Sequence, residues 1–254
     1  MPPLIIRNII EFRRNYPRLG PGDLVLGRLA LKWGEEVKLF DLVDRGVVFF
    51  PAALAQLLSR SKAAQAEVLG EFIVPGSFVA YVLPDLADRL GEFQAQGLSP
   101  VVAKRDRANL GLGVSWWPTL EALYSQATLQ DIPYPVVVQP FLPRARDLRV
   151  VALGEYAEAY ERVNPHSFRK NLFQGGSAQP AELTPEVRHF CRRAMARGKF
   201  PYAVLDLLIS GGGEVYLSEI NLQGGLKGAQ LTQEEFRRRV DALGEDFRGQ
   251  WENS

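Results

Sequence analysis

Residues 202–226, Tyr202-Ala-Val-Leu-Asp-Leu-Leu-Ile-Ser-Gly-Gly-Gly-Glu-Val-Tyr-Leu-Ser-Glu-Ile-Asn-Leu-Gln-Gly-Gly-Leu226, decide how the rest of the chain is read. Two β-rich runs flank a glycine turn, the pattern of a hairpin, and a glycine-rich exit follows. Side chains alternate along a strand, so Val204, Asp206 and Leu208 share one face of the first run. Val215, Leu217, Glu219 and Asn221 share one face of the second. With Gly211–Glu214 as the loop, Ser210 pairs with Val215 and Asp206 lies opposite Glu219. Opposed Cβ atoms are about 4.5–5.5 Å apart, which brings two carboxylates and the Asn221 amide oxygen together. Adjacent carboxylates on an apolar sheet repel and lose hydration unless a positive group sits between them. A hard cation such as Mg²⁺, which takes oxygen ligands and commonly carries nucleotide phosphates, fits that spot.

Composition bounds what surrounds this hairpin. The chain has 254 residues, 46% of them hydrophobic, enough to bury a full core. Its 30 basic and 29 acidic residues leave a formal charge of +1, so no global field draws it to nucleic acid. The N-terminus carries Arg7, Glu11, Arg13 and Arg14 and lacks the apolar core of a secretion signal. No run approaches the ~20 apolar residues of a membrane span, and a cytoplasmic protein without a membrane partner is expected. The single cysteine, Cys191, excludes an intramolecular disulfide and reads as a small core residue. His166 and His189 alone make no zinc constellation.

Upstream, residues 1–58 alternate short apolar runs with turns, and Val37–Val43 and Val47–Phe50 read as strands around Asp44-Arg45-Gly46. A run of helix formers after Pro51 is broken or capped at Ser59 or Ser61, next to Lys62. Phe78–Leu83 reads as a strand and Pro84–Gln96 as a helix with Leu86, Leu90 and Phe93 on one face. Val101–Lys104 is a strand leading into the basic, glycine-containing loop Arg105–Gly113. No helix start follows its Gly-Leu-Gly, which excludes a dinucleotide fingerprint; such a loop after a strand lysine instead suits folding over phosphates. Tyr134–Gln139 is a buried strand that stops at Pro140-Phe141-Leu142-Pro143, a hinge between lobes. Two strands then turn at Gly154-Glu155, and a polar loop holds Arg169, Lys170 and Asn171. Thr184-Pro185 caps a helix to Arg197. Phe236, Val240, Leu243, Phe247 and Trp251 form the packing stripe of a last helix.

In this order, Lys62, Lys104 with its glycine loop, Val-Val-Val-Gln139, Asp147-x-Arg149, Arg162, Phe-Arg169-x-Asn171-Leu, Asp206 and Glu219-x-Asn221 resemble the ATP-grasp enzymes. The similarity is greatest to RimK-type carboxylate–amine ligases and their glutathione synthetase relatives, over about Ser59–Gly228. The resemblance implies an α/β (α+β) ATP-grasp fold: a shortened N-terminal lobe at 1–58, a central lobe at 59–137 with the glycine-rich lid, and a C-terminal lobe at 138–254 with the metal site. It implies that Asp206, Glu219 and Asn221 hold Mg²⁺, with Mn²⁺ as its substitute. Lys62, Lys104, Gly111 and Gly113 would contact the phosphates of ATP, Gln139, Pro140 and Phe141 the adenine, and Asp147 the ribose. Arg169 and Asn171 would reach the terminal phosphate, with Arg149 and Arg162 beside the acyl phosphate or substrate carboxylate.

The chain departs from the family pattern at Arg107, where glycine is common, and at Pro140, where an acidic residue is usual. Gln223-Gly224 and Lys227 replace a Ser-Pro and an acidic residue. The activity implied is ATP-dependent ligation of a carboxylate substrate to an amine, an amino acid or peptide, through an acyl phosphate. A regulatory or scaffolding nucleotide-binding module without ligation is the alternative, and a small-molecule kinase is a third reading that lacks only the amine. A homo-oligomer is compatible with the sequence.

Overall fold

A computed structural model describes residues 2–108, 113–164 and 176–253, built around three sheets. The first is parallel, in the order β1 (Ile5–Ile6), β2 (Leu24–Leu26), β3 (Val48–Phe50). Parallel neighbours need crossovers, and α1 (Ile9–Asn15) and α2 (Val37–Asp44) lie in them. The expected strand at Val37–Val43 is therefore a helix. Strand alternation would have put Asp41 on the same face as Val37, Leu39 and Val43. The helix buries Leu39 and Leu42 one turn apart and frees Asp41 to accept the Tyr16 hydroxyl at 2.6 Å.

After β3 come α3 (Ala53–Leu58) and α4 (Lys62–Val68), separated at the serines. Ser61 is the cap of α4, its hydroxyl accepting the Ala64 N–H at 3.0 Å. The second sheet is antiparallel, in the order β4 (Phe78–Ala80), β7 (Val136–Pro140), β5 (Val101–Arg105), β6 (Val114–Trp117). The boundary expected after residue 137 falls inside β7, which runs on to Pro140. The expected helix at Pro84–Gln96 is two short ones, α5 (Leu83–Ala87) and α6 (Leu90–Ala95), and Leu83 leaves the strand to start the first. The Asp85 carboxylate accepts the N–H groups of Tyr81 and Val82 and ends the strand early. Leu86 and Phe93 still face the core of this lobe, which α7 (Leu120–Leu129) closes.

The third sheet, also antiparallel, has the order β10 (Ser177–Ala181), β9 (Tyr156–Val163), β8 (Arg146–Leu153), β11 (Tyr202–Ile209), β12 (Val215–Asn221). The polar β10 has no sequence signature; as an edge strand it tolerates Pro180. The helix α8 (Pro185–Gly198) is capped by Thr184 and packs Val187, Cys191 and Ala194 into the main core with Ala203, Leu205 and Leu207 of β11. Burial pushes the Cys191 thiol up to about 12, as befits a core residue. The last helix, α9 (Gln233–Glu252), is capped by Thr232 and lays Phe236, Val240, Leu243, Phe247 and Trp251 on the same core. No helix among the described residues is long and apolar enough to cross a membrane.

Candidate active site

The β11–β12 hairpin places Asp206 opposite Glu219 and Val204 opposite Asn221. It does so by a route that simple alternation misses. Near the turn Ile209, not Ser210, pairs with Val215, and the Ser210 N–H donates to the Glu214 carbonyl at 2.9 Å. Carried along the strands, that register would set Asp206 against Ser218. A β-bulge at Asp206/Leu207 absorbs one extra residue of β12 and restores the Asp206–Glu219 pair. The bulge also corrects a face: Leu217 pairs with Leu207 in the core and does not share the side of Glu219. Ser218, the extra residue, presents its hydroxyl and carbonyl at 3.2 and 3.4 Å from Lys104 Nζ.

Facing the two carboxylates is a wall of cations. Arg149 on β8 is the cross-strand partner of Asp206 and grips it with two hydrogen bonds, Nε–Oδ1 at 2.6 Å and Nη2–Oδ2 at 2.9 Å. Arg162 on β9, 7% exposed, lies 2.6 Å from Asp147 Oδ1 and 3.2 Å from Asp206 Oδ2. Burial pushes the Asp206 carboxyl up, but the two guanidiniums outweigh it and hold it well below the usual carboxylate range. Asp147 goes the other way, because burial and the neighbouring Asp206 together exceed the pull of Arg162. Lys62, at the start of α4, donates to Glu219 Oε1 at 3.2 Å and to the Ala108 carbonyl at 2.9 Å. Lys104 on β5 is buried and donates to Gln139 Oε1 at 2.8 Å; burial brings its ammonium down to about 8. Lys62, Lys104, Arg149 and Arg162 thus outnumber Asp147, Asp206 and Glu219 by one charge.

Supporting contacts fix this geometry. Gln65 of α4 clamps β12, accepting the Ile220 N–H at 3.0 Å and donating to the Ile220 carbonyl at 2.9 Å. At the base of the glycine loop, Asp106 accepts the Ala63 N–H at 3.1 Å. Arg107 is in the left-handed region, φ 56°, where the glycine common in the family pattern would sit without strain. Its guanidinium pairs with buried Glu36 and lies 4.2 Å from the Trp33 ring, tying this loop to the N-terminal lobe. A Cβ on Gly113 would meet the Ala108 Cβ at 2.3 Å, so the loop's return is packed for glycine. After Asn221 the chain folds back: the Gly225 carbonyl accepts from Arg149 Nη1 at 2.9 Å, and Arg28 reaches Gln223 Oε1 at 2.5 Å.

The structure therefore brings Lys62, Lys104, Gln139, Asp147, Arg149, Arg162, Asp206, Glu219 and Asn221 to one cleft between the second and third sheets. Pro140 and Phe141 lie at the end of β7, where the Phe141 N–H is committed to the Pro100 carbonyl at 2.8 Å. Gly111, Arg169 and Asn171 lie outside the described residues. Ser218, Gln65 and Arg28 were not singled out in the sequence. Ser218 adjoins Glu219 but only the bulge turns it inward, and neither Gln65 nor Arg28 belongs to any pattern.

Two carboxylates and an amide oxygen are a donor set suited to a hard divalent ion. Among the described residues no group of three or more His, Cys, Asp or Glu is placed to hold a metal, and Asn221 stands two residues along β12 from Glu219. Both Asp206 oxygens already accept from arginine, and the local charge is positive. The residues therefore fit Mg²⁺ that arrives with phosphates, which carry the negative charge this wall lacks.

A family model described as a RimK-like ATP-grasp domain matches residues 62–235. The ribosomal protein bS6–L-glutamate ligase of Escherichia coli K12 is 25% identical over 231 residues, 89% of this chain and 74% of that protein. The D-alanine–D-alanine ligase of Coxiella burnetii aligns with a TM-score of 0.61 at 15% identity, over 91% of this chain and 71% of its own. The ATP-grasp ligase PsnB, solved with a minimal precursor, aligns with a TM-score of 0.55 at 19% identity, over 82% and 67%. At these identities the solved structures speak to the fold, and the fold they share is that of ATP-grasp ligases.

Proposed function

The chain belongs to the RimK-like ATP-grasp family of ATP-dependent carboxylate–amine ligases, and from this premise we propose how its own residues divide the work. The carrying observation is the Asp206–Glu219 pair set against four cations in a cleft between two sheets. In this reading the lobes expected at 59–137 and 138–254 clasp ATP, with their boundary moved to the end of β7 at Pro140, and 1–58 is the shortened N-terminal lobe.

Lys62 and Lys104 bind the phosphates, and the glycine loop through Gly111 and Gly113 covers them. Gln139, Pro140 and Phe141 border the adenine and Asp147 the ribose. Asp206, Glu219 and Asn221 would hold Mg²⁺, which when bound offsets phosphate charge. The substrate carboxylate oxygen attacks the γ-phosphorus and ADP leaves. The amine, from an amino acid or a peptide, then attacks the acyl carbon; phosphate leaves and the amine proton goes to solvent. Arg149 and Arg162, with Arg169 and Asn171, stabilise the negative charge on the transferring phosphoryl group. Positioning and charge stabilisation supply the catalysis, and no protein nucleophile is needed.

Incubation of the purified protein with MgATP and a pool of amino acids and short peptides tests this reading. ADP and phosphate are expected in equal amounts, with a new amide product by mass spectrometry. ATP binding without ADP formation in any pool would overturn it in favour of a regulatory module, and ADP with a phosphorylated product but no amide would mark a kinase.

A further inference from the structure

Three consecutive residues just past β5, Asp106, Arg107 and Ala108, each hold a different part of the molecule. The Asp106 carboxylate accepts the Ala63 N–H at 3.1 Å, in the first turn of α4. The Ala108 carbonyl accepts from Lys62 Nζ at 2.9 Å, and the same ammonium donates to Glu219 Oε1 at 3.2 Å. Lys62 opens α4, so this tripeptide fixes the turn that carries the lysine and the head of its side chain together. An ammonium has three donors, and among the described residues Lys62 uses two, which leaves one for a phosphate.

Arg107, between these two holds, faces the other way. Its Nη1 pairs with Glu36 and its guanidinium lies 4.2 Å from the centre of the Trp33 ring. Trp33 and Glu36 stand just before α2, outside the segment 62–235 that the family model matches, so this contact belongs to the chain's own N-terminal lobe. A basic residue in a phosphate loop would ordinarily turn to the phosphates. Here Glu36 is 7% exposed, and Arg107 is its one ion-pair partner among the described residues. Burial pushes the Glu36 carboxyl up, but Arg107 and nearby backbone N–H groups hold it below its ordinary value. Turning Arg107 away would leave a buried charge without its counter-ion. The left-handed backbone of Arg107, φ 56°, is likewise a conformation that persists only where the surroundings impose it. Arg107 is therefore a strut between two lobes and is not free to serve as a phosphate ligand.

We propose that Glu36 and Trp33 are positioning residues for the nucleotide: they anchor Arg107, and through it the Asp106 carboxylate and Ala108 carbonyl that aim Lys62 at the phosphates. The assignment rests on the ATP-binding reading of the cleft given above. It gives the N-terminal lobe a part in nucleotide binding that is independent of which acid or amine is ligated.

A double-mutant cycle on the full chain tests it, with the affinity of a non-hydrolysable ATP analogue and Mg²⁺ measured by isothermal titration. Glu36→Gln keeps the volume and removes the charge on Arg107; in the wild-type background it should weaken binding about fivefold, a coupling usual within one network. In the Lys62→Met background the same change should have no measurable effect, because the lysine it positions is gone. A merely structural role would weaken binding by the same factor in both backgrounds and would overturn the proposal, as would unchanged affinity in the wild-type background. Near-ultraviolet circular dichroism checks that each variant is folded. If Glu36→Gln does not fold, Trp33→Leu carries the test, since Trp33 is 76% exposed and its loss opens no core. A smaller loss of affinity is expected there, again only while Lys62 is present. A wild-type protein that binds no nucleotide would refute the ATP reading itself, a result distinct from normal binding that is indifferent to Glu36 and Trp33.

Discussion

Asp206 and Glu219 occupy opposed positions in one hairpin, yet neutralising them should have very different consequences for stability. Asp206 is 13% exposed and pairs with two guanidiniums, Arg149 and Arg162, that are 16% and 7% exposed. Removing one partner of a buried ion pair leaves uncompensated charge and costs about 3–5 kcal/mol. Asparagine keeps one acceptor, so the lower end applies to Asp206→Asn. For a chain of this size each kcal/mol moves Tm by about 2–4 °C, which gives a loss on the order of 10 °C. Glu219 is 26% exposed and faces a single lysine at 3.2 Å, so Glu219→Gln should cost less than about 1 kcal/mol. Both variants should lose turnover, because each removes one of the proposed metal carboxylates. Calorimetry gives the two Tm values, and ADP release at saturating ATP and low Mg²⁺ gives the activity. An Asp206→Asn protein that melts with the wild type would refute the charge argument. A Glu219→Gln protein that turns over normally would refute the metal assignment.

Lys104 sets a pH dependence with two opposite signs. Its folded value of about 8 lies below the ordinary 10.5, so between these the unfolded chain binds more protons and this group's contribution to stability rises with pH. Phosphate binding needs the charged ammonium, so ADP affinity should fall as pH rises through about 8; isothermal titration should show this in the wild type and not in Lys104→Met. At the end of β7, Pro140 offers only a carbonyl and the Phe141 N–H is already committed, leaving the Leu142 N–H as the donor to adenine. Guanine reverses that donor–acceptor pattern at about 1–3 kcal/mol per unpaired group, so kcat/KM for GTP should be about 10- to 100-fold below that for ATP; equal values would place the base elsewhere. Arg107→Gly relieves a left-handed arginine but strips buried Glu36 of its partner, so a net loss of Tm is expected, with a changed Trp33 fluorescence that confirms the lost contact. Arg169→Met should lower turnover on the order of 10²-fold while leaving ATP-analogue affinity nearly unchanged.

Much of the fold follows from local chemistry that the sequence carries by itself. The hairpin at Tyr202–Asn221, the caps at Ser61 and Thr184, the stripe on α9 and the buried β7 depend on turn glycines, capping hydroxyls and apolar period. These signals act within a few residues, so no tertiary information is needed to read them. The helix at Val37–Asp44 was illegible for the converse reason: its apolar residues satisfy both periods, and the parallel β2–β3 pairing decides between them. Residue order also marked which side chains converge, since Lys62, Lys104, Arg149, Arg162, Asp206 and Glu219 each stand in a recognisable pattern.

Only the tertiary structure decided how those charges are distributed. The sequence puts two carboxylates together and leaves their counter-ions open. The register of β8 against β11 and of β9 against β8 gives Asp206 to Arg149 and Arg162, and the packing of α4 gives Glu219 to Lys62. One extra residue at Ser218 keeps Asp206 and Glu219 opposed after the turn has shifted the register, a compensation invisible to strict alternation. A cavity between α9 and the ends of β1, β2 and β3 joins residues as far apart as Arg7 and Glu245. Such a cavity arises from packing across more than two hundred positions, and no local pattern in the chain encodes it.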